Sequence, residues 1–99
     1  MFIRVLHLEM KPERWEEALA RFRSTTFPDL ERQPGFMRVI LGAEPETGRA
    51  ALITMWQSPE HARTYLESGN ADRLLHEYDE MYARPPQIEE YPVLFDREF

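Results

Sequence analysis

The sequence predicts an α+β domain, a split βαβ arrangement in which an antiparallel sheet carries its helices on one face. Three observations lead there. The patterning runs strand, helix, strand, strand, two helices, strand. The stretch Ala50–Ala62 joins an apolar, β-rich run, Leu52-Ile53-Thr54-Met55-Trp56, to a dense helix start. There Ser58 is a good N-cap, Pro59 sits where a missing N–H costs nothing, and Glu60 puts negative charge at the positive end of the dipole. Finally, right-handed crossovers would put both helical segments on the same side of the sheet.

Taken in order, Phe2–Glu9 is the first predicted strand. Its alternating sets, Phe2, Arg4, Leu6, Leu8 and Ile3, Val5, His7, Glu9, are both mostly apolar. Lys11-Pro12 breaks it. Trp15, Ala18, Leu19 and Phe22 then recur at i, i+3, i+4, i+7, the stripe of an amphipathic helix, with Glu17 and Arg21 four apart on its wet side. Thr25–Gly35 reads as transitional, since Pro28 and Pro34 limit continuation of the helix. Pro34-Gly35 is a turn, Phe36–Gly42 a second strand, and Glu44–Gly48 a hairpin loop before the central strand. A second helix is expected from Pro59 to about Ser68, with Ala62, Tyr65 and Leu66 on its apolar side. Gly69 supplies a left-handed stop, and Asn70 can cap a third helix. On that helix Ala71, Leu74, Leu75, Tyr78, Met81 and Tyr82 share a face, and Pro85-Pro86 ends it. Ile88–Phe95 is the last strand, where Pro92 argues for an edge or a bulge.

The 99 residues make a single domain, 1–99, with no repeat or linker. A net charge of −6 argues against a nucleic-acid partner, which needs a clustered basic face. The absence of cysteine excludes disulfides, zinc–thiolate sites and thiol nucleophiles. No apolar run approaches the roughly 18 residues of a membrane span, and the N-terminus lacks a signal-peptide pattern. No membrane partner is therefore expected, and the cytoplasm is the default location. No Ser/His/Asp constellation, phosphate loop or metal-ligand spacing stands out, so neither metal nor cofactor is expected. With all helices on one side, the opposite sheet face should be polar, yet Ile3, Val5, Ile40, Ile53 and Met55 fall there. A second copy of the chain is the simplest cover, which predicts a homodimer.

The chain also resembles the antibiotic biosynthesis monooxygenase-like domains of the dimeric α/β-barrel superfamily. The matching residues are Gln33-Pro34-Gly35-Phe36 leading into the second strand, and Met55-Trp56-Gln57-Ser58-Pro59-Glu60-His61-Ala62 ending the third. The resemblance covers nearly the whole chain. It implies a ferredoxin-like fold, a homodimer whose sheets share a barrel, and a small-molecule pocket between sheet and helices in each subunit. Members include cofactor-independent oxygenases of aromatic polyketides and quinols, and haem-degrading enzymes. The haem-degrading branch uses an Asn, a Trp and a His where this chain has Leu6, Tyr65 and Leu75, with His7 and His76 each one residue off. His76 lies about 150° from the centre of the apolar stripe, at ~100° per residue, and should face water. The polyketide branch has a Trp that Trp56 matches, and an Asn four residues earlier where Leu52 stands.

Under that resemblance Arg4, Leu6, Leu52, Thr54 and Trp56 turn toward the helices, with Tyr65 and Tyr78 inward from the second and third. Together they would line an aromatic pocket with Arg4, Thr54 and the Tyr65 phenol as polar handles. Each has an ordinary alternative: Trp56, Tyr65 and Tyr78 as packing, Arg4 as the partner of a carboxylate at a sheet end. His61, at the edge of its helix's apolar stripe, is a candidate general base at the pocket mouth. The expected function is a cofactor-independent monooxygenase of a small aromatic or quinol-type substrate. The alternative is a non-catalytic small-molecule-binding or regulatory homodimer.

Overall fold

Antiparallel pairing of the first and third strands forms the centre of the sheet. The computed structural model describes residues 1–99. Strands β1 (Phe2–Met10), β2 (Phe36–Glu44), β3 (Arg49–Trp56) and β4 (Tyr82–Pro92) form one four-stranded antiparallel sheet in the order β2-β3-β1-β4. Helices α1 (Trp15–Arg21), α2 (Phe27–Glu31), α3 (Pro59–Glu67) and α4 (Asn70–His76) carry the chain between strands. None is long and apolar enough to cross a membrane.

The β1–β3 register pairs Phe2 with Trp56, Arg4 with Thr54 and Leu6 with Leu52. Side chains alternate faces along a strand, so these residues and Leu8 share one face, and all but Phe2 are buried. Ile3, Val5, Ile53 and Met55 stand on the other face, half-buried, with Ile40 exposed beside them. The predicted fold, with helices on one face only, is the fold observed.

Several expectations need correction. Thr25–Gly35 is helical as far as Glu31: a π-helical turn, Phe22–Thr26, joins α1 to α2. A proline inside an α-helix collides with the carbonyl four residues back and lacks an N–H. Here the ladder widens before Pro28, and the Phe27 N–H reaches the Phe22 carbonyl, five residues back. The third predicted helix ends at His76, where a series of turns takes over. Bonds from Tyr78 N–H to Leu75 O (3.2 Å) and Met81 N–H to Tyr78 O (2.8 Å) keep a near-helical spacing, so Tyr78 and Met81 still point inward. Pro85-Pro86 lies within β4 instead of ending a helix, and β4 stops at Pro92 instead of Phe95. Both prolines fit because β4 is an edge strand and its register slips between His7–Gln87 and Glu9–Arg84. Asn70 is the first residue of α4, while Gly69 at φ +83° occupies the cap.

The β3–α3 junction is clasped from two sides. Ser58 Oγ accepts from the His61 N–H at 3.2 Å and lies 2.7 Å from His61 Nδ1. The Gln57 N–H donates to the Gly35 carbonyl at 2.7 Å, tying the junction to the turn before β2. Gly35 has φ +77°, and a Cβ there would lie 2.2 Å from His61 Cγ. Gly35→Ala should therefore cost at least about 1–2 kcal/mol through left-handed strain, plus the collision. Thermal unfolding followed by circular dichroism measures it, and adding His61→Ala should recover only part of the collision, because the His61 Cβ would still lie 2.6 Å away.

Candidate functional site

The buried side chains fall into two clusters. One gathers Leu6, Leu8, Met10, Trp15, Phe22, Leu52, Tyr78 and Met81 under β1, α1 and the segment before β4. The other gathers Leu30, Trp56, Ala62, Tyr65, Ala71 and Leu74 around α3 and α4. Between them lies a cavity of about 60 Å³. Its lining draws on both clusters, with Leu6, Phe22, Leu52 and Tyr78 from the first and Leu30, Tyr65 and Leu74 from the second. Leu66 and Ile88 line it while remaining 40% and 44% exposed, which marks the mouth between α3 and the β4 edge.

Each cluster is held by a run of rings. Phe22 stacks on Phe27 at 5.8 Å and on Tyr78 at 4.7 Å, with Tyr82 beyond at 6.3 Å. On the other side Trp56 stacks on Tyr65 at 5.2 Å and meets Phe36 edge-on at 5.4 Å. Such pairs add roughly 0.5–1.5 kcal/mol each beyond burial.

Arg4, Thr26 and Thr54 are the buried polar or charged side chains of the chain, and all three line the cavity. Thr26 Oγ1 and the Tyr78 hydroxyl bond each other closely. Thr54 Oγ1 accepts from Trp56 Nε1 at 3.1 Å, and an indole N–H only donates, so the Thr54 proton is left for another acceptor. Arg4 Nη2 donates to the Ala62 carbonyl at 3.3 Å, while its Nε has no hydrogen-bond partner and lies 3.7 Å from Glu90 Oε1. Burial pushes the Arg4 pKa down, and the Glu90 charge opposes that shift.

Of the residues predicted from sequence, Arg4, Leu6, Leu52, Thr54, Tyr65 and Tyr78 come together on this lining. Trp56 is fully buried behind it, positioning Thr54 by hydrogen bond and Tyr65 by stacking. His61 is outside the lining, held at the α3 N-terminus by Ser58 and packed over Gly35. His76 faces Asp72 and Asp79 at the surface, at 3.5 and 3.0 Å, while Leu75 lines the cavity. Lining residues outside the sequence-predicted pocket include Thr26, Leu30, Tyr82 and Ile88. Thr26 and Leu30 continue the Phe22 stripe at i+4 and i+8, a signal that Pro28 masked.

The phenols around the cavity are acids held protonated. Burial, with help from Asp29, pushes Tyr65 up to about 12, and Arg4 opposes it. Burial likewise pushes Tyr78 up to about 12, against the Thr26 hydrogen bond, and raises Tyr82 further. Glu89 raises the Tyr91 pKa by hydrogen bond, so all four tyrosines lie above the ordinary value of 10.0. A native pKa above the unfolded one favours folding fully below about pH 10, and that contribution is lost as pH climbs toward 12. Tyrosinate absorbance near 295 nm should thus lag free tyrosine and rise together with loss of far-ultraviolet ellipticity between those limits. Titration of the cavity phenols at the ordinary value in a folded protein would contradict their burial.

No protein-family model matches the sequence, and no curated protein matches it. Solved structures do match. A monooxygenase from the gene ActVA-Orf6 of Streptomyces coelicolor, in complex with nanaomycin D, has a TM-score of 0.80 at 13% identity, over 98% of this chain and 90% of that one. SnoaB, a cofactor-independent oxygenase from Streptomyces nogalater, solved as a mutant, gives 0.74 at 18% identity, over 96% and 94%. A mutant of MhuD with two manganese protoporphyrin IX molecules per active site gives 0.79 at 18% identity, over the full length of both chains. Identities this low speak to backbone architecture, and an antibiotic biosynthesis monooxygenase is among the matches at a TM-score of 0.78. The chain has the fold of the antibiotic biosynthesis monooxygenases.

Proposed function

We propose that the protein is a cofactor-independent monooxygenase of a small aromatic or quinol-type substrate, bound in the cavity between the two core clusters and working as a homodimer. The observation that carries this reading is the cavity itself. Its walls are stacked rings and aliphatic side chains, and its buried polar groups are few and confined to Arg4, Thr26 and Thr54. Flat apolar molecules suit such walls. The similarity in fold to a monooxygenase in complex with nanaomycin D and to a cofactor-independent oxygenase supports the choice of chemistry.

The reaction balances without an outside reductant. A ring methylene activated by an adjacent phenol or ketone loses a proton, and the resulting anion donates electrons to O₂. A C–O bond forms, the O–O bond breaks, and CH₂ plus O₂ becomes C=O plus H₂O. The substrate supplies all four electrons and both hydrogens of the water. This chain's part is to hold the anion with donors, exclude water and fix the ring plane. At about 60 Å³ the cavity has room for a few waters, so Leu66 and Ile88 must swing aside to admit a ring system.

The apolar side chain of Leu52 on the lining favours a second reading, a non-catalytic binding homodimer. Oxygen-electrode measurements with anthrones, catechols and quinols separate the two. The oxygenase should take up one O₂ per substrate, whereas tight binding without uptake would make the protein a binding module.

The dimer is argued from the outer sheet face, where Ile3, Val5, Ile53 and Met55 are half-buried and Ile40 is 45% exposed in the single chain. Light scattering should give twice the 11.8 kDa chain mass. Ile53→Glu, which places a charge at the centre of that face, should shift the protein to monomer at micromolar concentration. A wild-type monomer would remove the pairing argument.

A further inference from the structure

The polar groups facing the cavity have a common character. Arg4 is 3% exposed and lines the cavity, and its Nε–H has no hydrogen-bond partner. Thr54, 4% exposed, has its oxygen occupied by Trp56 Nε1 and its proton unspent. These two residues are direct partners across the β1–β3 ladder. Side chains so paired stand roughly 5 Å apart at Cβ, on one face of the sheet. No aspartate, glutamate or histidine lines the cavity, so its one formal charge is the guanidinium. Glu90, paired with Arg4 across the β1–β4 ladder, is the nearest carboxylate, at 3.7 Å and outside hydrogen-bond range.

A buried guanidinium with an unmet N–H is costly in a domain of this size, because charge removed from water must be matched by charge and hydrogen bonds. Water in the cavity would satisfy the N–H but leave the charge balanced only by the Glu90 carboxylate, 3.7 Å away with its side chain 37% exposed. A carboxylate does both, since its oxygens only accept and its charge is opposite. Two donors supplied by cross-strand neighbours on one sheet face also suit two carboxylate oxygens better than one phenolate oxygen. We infer that Arg4 Nε and the Thr54 hydroxyl form a carboxylate-binding subsite, and that the ligand of this cavity is an aromatic acid with its ring between the Tyr65 and Tyr78 walls. This deepens the proposed function and rests on it for the location of the ligand. Without ligand Glu90, 3.7 Å from Nε, is the counter-ion, and the ligand carboxylate takes over that task.

The test uses two probes of the same shape, 2-naphthoate and 2-naphthamide, titrated into the full-length protein by calorimetry at pH 7. A charge-assisted hydrogen bond is worth about 1.5–3 kcal/mol, so naphthoate should bind about 10- to 100-fold more tightly than the amide. Arg4→Met should reduce that preference to near unity. Should Arg4→Met fail to fold, Glu90→Gln carries the test, because removing the competing carboxylate should tighten naphthoate several-fold and leave the amide unchanged. Equal affinity of the two probes for the wild type would overturn the carboxylate subsite and leave the aromatic cavity standing. A preference that survives Arg4→Met, or Glu90→Gln without effect on naphthoate, would also overturn it. Binding of neither probe would overturn the subsite together with the cavity reading on which it rests.

Discussion

The pairing of β1 with β3 is the constraint on which the rest of the molecule depends. It runs from Phe2–Trp56 to Glu9–Arg49 without a shift, and the edge strands β2 and β4 each add to one side of it. The helices carry the chain from this central pair out to the edges, α1 and α2 from β1 to β2, and α3 and α4 from β3 to β4. Because side chains alternate with a period of two, a slip by one residue would send Leu6, Leu52 and Trp56 to the outer face. It would also bring Ile3, Val5, Ile53 and Met55 under the helices. The exchange is nearly neutral in hydrophobicity, so apolar content alone does not set the register. What distinguishes the two faces is shape and polarity. Trp56 fits against Tyr65 and Phe36, its indole N–H finds Thr54, and the Arg4 guanidinium reaches the Ala62 carbonyl, so α3 is bound to the observed register.

The same register explains why there are two cores and a space between them. Arg4 and Thr54 lie across the sheet from each other, in line with the gap, and neither belongs to an apolar cluster. A small domain would be stabilised by filling such a gap with aliphatic side chains, since isosteric hydrophobic replacement of buried charge is often neutral or favourable. A stability of 5–15 kcal/mol leaves little room for a buried cation kept without purpose. The π-helical turn at Phe22–Thr26 is a second departure from the most stable choice, and it too delivers residues to this cavity. Two independent departures converge on one place, and that convergence is the physical case for a site there.

Much of this was legible in the sequence, and the failures have specific causes. Strand alternation and the Ser58-Pro59 helix start give the order of elements and the inward face, because both follow from local chemistry. Pro28 was read as a stop, since the rule against internal proline holds for a regular α-ladder and says nothing of a ladder widened by one residue. Pro85-Pro86 was read as a helix end for a related reason, the exclusion of proline from sheets being weaker on an edge strand with a register shift. The inward residues Arg4, Thr54, Tyr65 and Tyr78 follow from periodicity. That Trp56 stands behind Thr54 and not on the cavity wall does not, because periodicity assigns a face and not a depth. His61 shows the same limit. Its place near the apolar stripe is readable, but its engagement by Ser58 and Gly35 depends on how the turn before β2 meets the β3–α3 junction.

The arrangement also constrains the chemistry the cavity could support. Burial holds its phenols well above the ordinary phenol range, so at neutral pH they can donate a hydrogen bond or a proton but cannot remove one. No histidine or carboxylate faces the substrate space to serve as a base. In the oxygenase reading, the substrate must then be acidic enough to ionise with donors alone to stabilise the product anion. Donors that strengthen this ionisation also draw electron density from the ring, which slows electron transfer to O₂. A site with many donors would hold the anion firmly and react poorly. A carboxylate anchored at Arg4 and Thr54 eases that conflict, because the charged contact falls on a group that takes no part in oxidation. The reacting carbon is left against apolar walls, where its anion keeps its reducing power and water is excluded.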